Sequence, residues 1–144
     1  MIILDTNIIS ELMRASPAPV VLEWFAARSL LELATTAINL AEIRYGLGRL
    51  PFGRRRRDLE TKFNSFASRG FETRVFDFDV PAAEAYGDIV VARERAGRRL
   101  EGFDGLIAAI AKSRGLAIAT RNIGDFAGCG IELISPWDAA PTSS

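Results

Sequence analysis

The feature that most restricts the fold of this chain is the spacing of five short strand-like runs, at 2–4, 33–38, 74–78, 116–120 and 131–134, with helix-length segments between most of them. Strands joined by such long connections pair in parallel, because a right-handed crossover needs a helix to cover the sheet. The intervening helices are expected at 7–13, 20–28, around Leu40, Ile43, Leu47 and Leu50, from 54 to about 70, from 81 to about 97, and at 102–114, the last closed by Gly115. In the fourth of these, Leu59, Phe63 and Phe66 recur at i, i+4 and i+7 and read first as core. The expectation is therefore an α/β protein: a three-layer α/β/α sandwich around a central parallel sheet of about five strands. A single domain over 1–144, with a short polar C-terminal tail at 138–144, suits a chain of 144 residues that is 49% hydrophobic.

Composition removes several kinds of chemistry. The chain has no histidine, which excludes Ser-His-Asp triads, His-ligated zinc and metal-free RNA cleavage by an imidazole pair. Cys129 is the lone cysteine and forms no intrachain disulfide, and the opening Met1-Ile2-Ile3-Leu4-Asp5 has neither the basic nor the long apolar region of a signal peptide, so a reducing, cytoplasmic setting is expected. No apolar run approaches the roughly 18 residues that suggest a membrane span. Eighteen basic residues balance eighteen acidic ones, so no global field draws the protein to polyanions. The charge is segregated, however: 44–74 carries nine bases against three acids, and 93–121 carries seven against three. Sixteen of the eighteen bases are arginine, whose planar fork fits phosphate and carboxylate alike.

In open α/β sheets ligands bind beyond the carboxyl ends of the strands. Four acids fall at the carboxyl ends of the expected strands or on helices near them. Asp5 closes the first strand, Glu42 lies one turn into the helix after the second, Asp104 sits in the first turn of the 102–114 helix, and Asp125 follows the fourth strand. Each has a plain structural reading: Asp5 (or Thr6) as a helix cap, Glu42 as a helix-surface acid, Asp104 as a partner of the helix dipole, and Asp125 in a capping turn. The small Ala108 and Ala111 along the Asp104 face leave room for close approach. Together, unpaired carboxylates repel and call for a cation. With no histidine and no cysteine pair, the ligands are oxygens and the ion expected is Mg²⁺ or Mn²⁺, which suits a metal-dependent nuclease or phosphatase.

Four ordered segments carry a family resemblance: Ile3-Leu4-Asp5-Thr6-Asn7, Asn39-Leu-Ala-Glu42-Ile-Arg-Tyr-Gly46, Asp104-Gly-Leu-Ile-Ala-Ala-Ile-Ala111, and Ala119-Thr-Arg-Asn-Ile-Gly-Asp125-Phe126. In this order they resemble the motifs of PIN-domain ribonucleases, particularly the VapC-type toxins of bacterial toxin–antitoxin pairs and their FitB-like branch, down to Ile134-Ser-Pro136-Trp137. The resemblance implies that Asp5, Glu42 and Asp104 are metal-binding catalytic acids, organised by Asn7 and Thr120, with Thr6 as a further support. Relatives place the fourth acid at the position of either Asn122 or Asp125; Asp125 is assigned to it here and Asn122 to a supporting role. The implied activity is endonucleolytic hydrolysis of RNA by a Mg²⁺- or Mn²⁺-activated water. The implied partners are RNA, a second copy in a homodimer, and a cognate antitoxin, a small DNA-binding protein. The antitoxin's C-terminal segment wraps the toxin and can place a basic side chain in the acidic pocket. Operator DNA is reached only through the antitoxin, and no membrane is involved.

Arg54, Arg55, Arg56 and Arg57, the arginines within 93–99 (Arg98 and Arg99 among them) and Arg121 are candidates for holding RNA phosphates or antitoxin acids. Exposed parts of the Leu59, Phe63 and Phe66 face would suit the dimer or antitoxin groove. Rival readings fit less well. A haloacid-dehalogenase-like phosphatase needs a second Asp where this chain has Asn7, and a receiver domain needs a lysine at a strand end, whereas Lys62 and Lys112 fall within expected helices. The short Gly46-Leu-Gly48 and Gly128-Cys-Gly130 are not a phosphate-binding loop. The remaining alternative is a catalytically degenerate PIN domain that binds RNA or a protein partner without cleavage.

Overall fold

A computed structural model describes residues 1–70 and 74–138. Strands β1 (Ile2–Leu4), β2 (Leu33–Thr36), β3 (Val75–Phe76), β4 (Ala117–Ala119) and β5 (Leu133–Ile134) form one sheet in the order β3-β2-β1-β4-β5. Every pairing is parallel, with Ile3 opposite Ala34 on one side and Ile118 on the other. Helices α1 (Thr6–Leu12), α2 (Pro19–Ala26), α3 (Ala37–Gly48), α4 (Arg54–Gly70), α5 (Val80–Arg95), α6 (Gly102–Arg114) and α7 (Ile123–Phe126) connect the strands.

The three layers follow from the alternation of side chains along β1 and β4. Ile3 and Ile118, opposite each other, pack with Ala82 and Ile89 of α5, the 107–111 stretch of α6 and Phe126 of α7. Their neighbours Leu4 and Ala119 turn to the other face and pack with Ile8 and Ile9 of α1, Trp24 of α2, Ile43 and Leu47 of α3 and Phe63 of α4. Phe63 is core, as its spacing implied, with Leu59 and Phe66 partly buried against it. Among the described residues no helix is long and apolar enough to cross a membrane.

Where element boundaries differ from the sequence-based expectation, the cause is capping. The second strand stops at Thr36 because that side chain accepts the Asn39 N–H at 3.1 Å, and 37–38 already belong to α3. Asp79 likewise accepts the Ala82 N–H and starts α5 one residue before Pro81. A four-residue helix, α7, replaces the turn expected around Asp125, and Leu30–Glu32 forms an unanticipated 3-10 turn before β2. Asp138, assigned to the polar tail, closes another 3-10 turn, Pro136–Asp138; the rest of that tail, 139–144, lies outside the described residues. The room beside Asp104 is filled by the protein itself, since Ala108 and Ala111 are fully buried in the core. α5 lies close against α6 at Gly105, where a Cβ would stand 3.0 Å from the Tyr86 ring.

Strand order places the site. The chain moves outward from β1 through β2 to β3, then returns to the opposite side of β1 for β4 and β5. The carboxyl ends of β1 and β4 therefore lie at the topological switch point, where the diverging connections leave a crevice. Because Ile118 is fully buried between the sheet and α6, Ile118→Ala is expected to lower stability by about 2–5 kcal/mol. Urea denaturation checks this through a reduced midpoint at unchanged slope.

Candidate active site

The site is assembled around Asp5, the residue after β1. Its backbone N–H continues the ladder to the Ala119 carbonyl at 2.9 Å, which fixes the main chain at the carboxyl end of the central strand. Its side chain is both a helix cap and a site residue: Oδ1 accepts the Thr6 N–H (2.9 Å) and the Asn39 Nδ2 (3.1 Å). Oδ2 accepts the Thr120 hydroxyl (2.8 Å) and the Asn7 Nδ2 (3.4 Å). The carboxylate, 5% exposed, is thus held by donors from α1, α3 and the end of β4. Capping and site-building are one arrangement, since the bond to the Thr6 amide helps set the carboxylate's direction.

The supporting residues form a continuous chain of hydrogen bonds. The Thr36 hydroxyl donates to Asn39 Oδ1 (2.6 Å), so that the Asn39 Nδ2 points to Asp5 and to the Thr6 hydroxyl (3.1 Å). The Thr6 hydroxyl donates in turn to Glu42 Oε1 at 3.0 Å. On the other flank Asn7 Nδ2 donates to Thr120 Oγ1 (3.2 Å), while Asn7 Oδ1 accepts the Arg121 N–H (3.1 Å). Thr120 Oγ1 also accepts the Asn122 N–H at 3.1 Å. Asn39, fully buried, is the member that sequence reasoning missed. Its signal was present: an amide in the first turn of α3, between Ile38 and Leu40 and three residues before Glu42.

Asp5, Glu42, Asp104 and Asp125 line one cavity of about 500 Å³, together with Thr6, Asn7, Asn122, Arg121 and four residues not anticipated as lining it: Ser10, Glu11, Arg14 and Trp137. The electrostatics of the acids are those of a crowded anionic site. Burial pushes the Asp104 carboxyl from its ordinary 3.8 up to about 7, with the charges of Asp5, Asp125, Glu42 and Glu101 acting in the same direction. Burial also raises Asp5, against the opposing hydrogen bonds from Thr120, Thr6 and Asn39. Glu42 is raised by burial, with the charge of Asp5 adding to it.

The donors fit a hard cation in kind: all are oxygens, and like charges already oppose one another across the cavity. Among the described residues no three acidic side chains are drawn together tightly enough to grip one ion by themselves.

The candidate arginines divide into groups. Arg54 and Arg55 line a larger cavity of about 1030 Å³ that shares Thr6, Ser10, Arg14 and Glu42 with the acidic one. Arg56 is engaged locally, donating to Glu60 (2.8 Å) and the Leu50 carbonyl and lying over the Phe52 ring. Arg57, Arg98 and Arg99 are exposed and line neither cavity. The 93–99 group requires a correction. Arg93 is 5% exposed and is no surface phosphate ligand, because its guanidinium donates to the carbonyls of Asp125 and Ala127 and ties α5 to the segment that carries Asp125.

Known proteins resemble the chain over nearly its whole length. Residues 2–127 match the PIN domain family. The VapC ribonuclease Y4jK of Sinorhizobium fredii is 37% identical over 140 residues, covering 97% of this chain and 100% of the relative. Toxin FitB of Neisseria gonorrhoeae is 34% identical over 137 residues, covering 95% and 99%. Among solved structures, FitAB bound to an IR36 DNA fragment superimposes with a TM-score of 0.91 at 32% identity, covering 99% of this chain and 100% of that one.

The raised carboxyl of Asp104 has a stability consequence. Between pH 4 and pH 7 the folded state holds this proton while the unfolded chain releases it, so stability falls as pH rises through that window and levels off above it. Chemical denaturation of metal-free protein is expected to show lower stability at pH 8 than at pH 5, and Asp104→Asn to flatten the profile and stabilise the protein at pH 8. Coincident profiles for the parent and the variant would remove Asp104 from the repulsive cluster.

Proposed function

The chain belongs to the PIN domain family, in its VapC toxin branch, and from that premise we propose that it is a metal-dependent endoribonuclease acting as the toxin of a toxin–antitoxin pair. The observation that carries this reading is the convergence of four carboxylates, from four separate elements, on one cavity at the sheet's switch point. Such a cluster is unfavourable by itself and is useful where cationic charge must be held against a phosphodiester. Residues 1–144 are read as one PIN domain.

In this mechanism Asp5, Asp104 and Asp125 would supply oxygen ligands to Mg²⁺ or Mn²⁺, directly or through its waters, and Glu42 would be a further ligand or orient water. The bound ion supplies neutralisation of the charge that builds on the phosphodiester and lowers the pKa of water. The rest is done by the chain. Thr6 orients Glu42 by donating to Oε1, and Asn39, Asn7 and Thr120 hold both oxygens of Asp5 in fixed directions. The ionisation of Asp104, opposed in the empty cluster, is favoured once positive charge is present. Asn122 supports the site through the hydrogen bond its backbone N–H donates to Thr120 Oγ1.

The partners in this reading are RNA as substrate, a second copy of the chain in a homodimer, and a small DNA-binding antitoxin through which operator DNA is reached. The FitAB structure bound to a DNA fragment supports the last of these. The larger cavity, lined by Met13, Ile43, Leu47, Leu50 and Leu59 beside Arg54, Arg55 and Lys62, suits an antitoxin segment that continues into the acidic pocket. The setting is cytoplasmic, with no membrane partner.

The test is cleavage of a total RNA pool by protein freed of any partner, with Mg²⁺, Mn²⁺ or EDTA. Cutting is expected with either metal and not with EDTA. Asp5→Asn is expected to reduce it to background while the protein stays folded, and Asn39→Ala to weaken it about 10- to 100-fold through loss of support for Asp5. Absence of cutting with either metal, in protein shown to be folded, would leave a module that binds RNA or a partner without cleaving.

A further inference from the structure

The acidic cavity has a cationic side that the four carboxylates do not explain. Glu11, on α1, is 6% exposed and carries no apolar role. Its carboxylate accepts both bonds of a single nitrogen, Arg14 Nη1, at 3.2 Å to Oε1 and 3.0 Å to Oε2, and Oε1 also accepts the Ala18 N–H at 3.2 Å. This anchors one terminal nitrogen of a largely exposed arginine, its side chain 65% accessible, whose Nε and Nη2 have no hydrogen-bond partner among the described residues. Arg121 is held differently. Its backbone N–H donates to Asn7, and its guanidinium lies 4.9 Å from the centre of the Trp137 ring, with no carboxylate within ion-pair distance among the described residues. Glu11, Arg14, Arg121 and Trp137 all line the cavity that contains the four acids. The charge of Arg121 also reaches Glu11, where with Arg14 it holds the carboxyl below its ordinary range, the hydrogen bond from Arg14 being the largest cause.

A strand of RNA entering this cavity meets four carboxylates, and its phosphates are repelled unless fixed positive charge stands beside them. Two arginines whose guanidinium groups are already held in place and that keep donors open, Nε and Nη2 in Arg14, meet that requirement, since planar forks bind phosphate oxygens in pairs and lose less freedom when already oriented. We propose that Arg14 and Arg121 form a clamp for the RNA phosphates that flank the scissile bond, with Glu11 as the positioning residue for Arg14 and Trp137 as the platform for Arg121. The clamp rests on the ribonuclease reading above and adds to it the residues that recognise the nucleic-acid backbone. These contacts are to phosphate, so they set affinity and register without base preference.

The experiment measures binding of a labelled single-stranded oligoribonucleotide to the Asp5→Asn protein across about 50 to 200 mM salt, and steady-state cleavage by otherwise unaltered protein. Arg14→Ala and Arg121→Ala are each expected to weaken binding and to reduce the slope of log affinity against log salt by about 0.7, or about 1.4 for the pair. In cleavage each is expected to raise KM about tenfold with little change in kcat, as for contacts made equally in ground and transition states. Arg14→Lys, which keeps the charge and loses the fork, is expected to fall between. Glu11→Gln is expected to raise KM in the wild-type background and to add little once Arg14→Ala is present, which a purely structural role would not produce. Should Glu11→Gln fail to fold, the two arginine substitutions, both on exposed side chains, still decide the matter. Protein that cuts RNA while both arginine variants keep its affinity and salt slope overturns the clamp and leaves the nuclease standing. Variants that loosen only an antitoxin complex do the same and assign the arginines to the protein interface. Protein that neither binds nor cuts RNA overturns the underlying reading, and the clamp with it.

Discussion

A buried carboxylate at the end of the central strand governs the local structure of this protein. Asp5 follows two fully buried apolar residues, and its own side chain is almost entirely withdrawn from water. Such a group is tolerated only when donors replace its hydration. Here they come from the first helix, from the helix after β2 and from the end of β4, so satisfying one side chain requires three connections to be in register. Asn39 is central to this, because its amide joins Thr36, Asp5 and Thr6 and, through Thr6, reaches Glu42. A polar network with every member satisfied specifies one arrangement, whereas an apolar contact of the same size would tolerate several.

The same network concentrates negative charge beyond what the isolated fold favours. Burial raises Asp5, Glu42 and Asp104 alike, and for Asp104 the neighbouring acids extend the effect until its proton is held near neutrality. A cluster of this kind lowers the stability of the empty protein at neutral pH and gains stability from whatever brings positive charge to it. In the functional reading proposed above, the metal and an antitoxin segment that continues into the acidic pocket would compete for this one electrostatic requirement.

Arginine serves several ends in this chain, and its neighbours decide which. Arg93 is buried and holds the backbone around Asp125, Arg56 closes a local contact with Glu60 and Phe52, and Arg54 and Arg55 stand on the larger cavity. Arg14 is anchored by a buried glutamate at the edge of the acids. Sequence alone showed only that the bases cluster. A guanidinium beside a backbone carbonyl and one beside open solvent have the same letter, and the packing of α5 against α7 separates Arg93 from Arg98 and Arg99.

The order of strands and helices along the chain, the parallel sheet, and the placement of Asp5 and Asp125 after strands and of Glu42 and Asp104 early in helices were legible in the sequence, because strand spacing and helical periodicity are local and each fixes which side of the chain is apolar. The αL glycine at Gly115 that ends α6 was legible for the same reason. Tertiary structure decided the rest. The strand limits at Thr36 and the helix α7 depend on caps and packing that periodicity does not encode. The donors to Asp5 are separated from it by up to 115 positions, and the pairing of Glu11 and Arg14 becomes part of the site only when α1 is laid against the acidic cavity. Sequence determined which groups were available at the ends of the strands; the burial of Asp5 at the switch point determined which of them must meet.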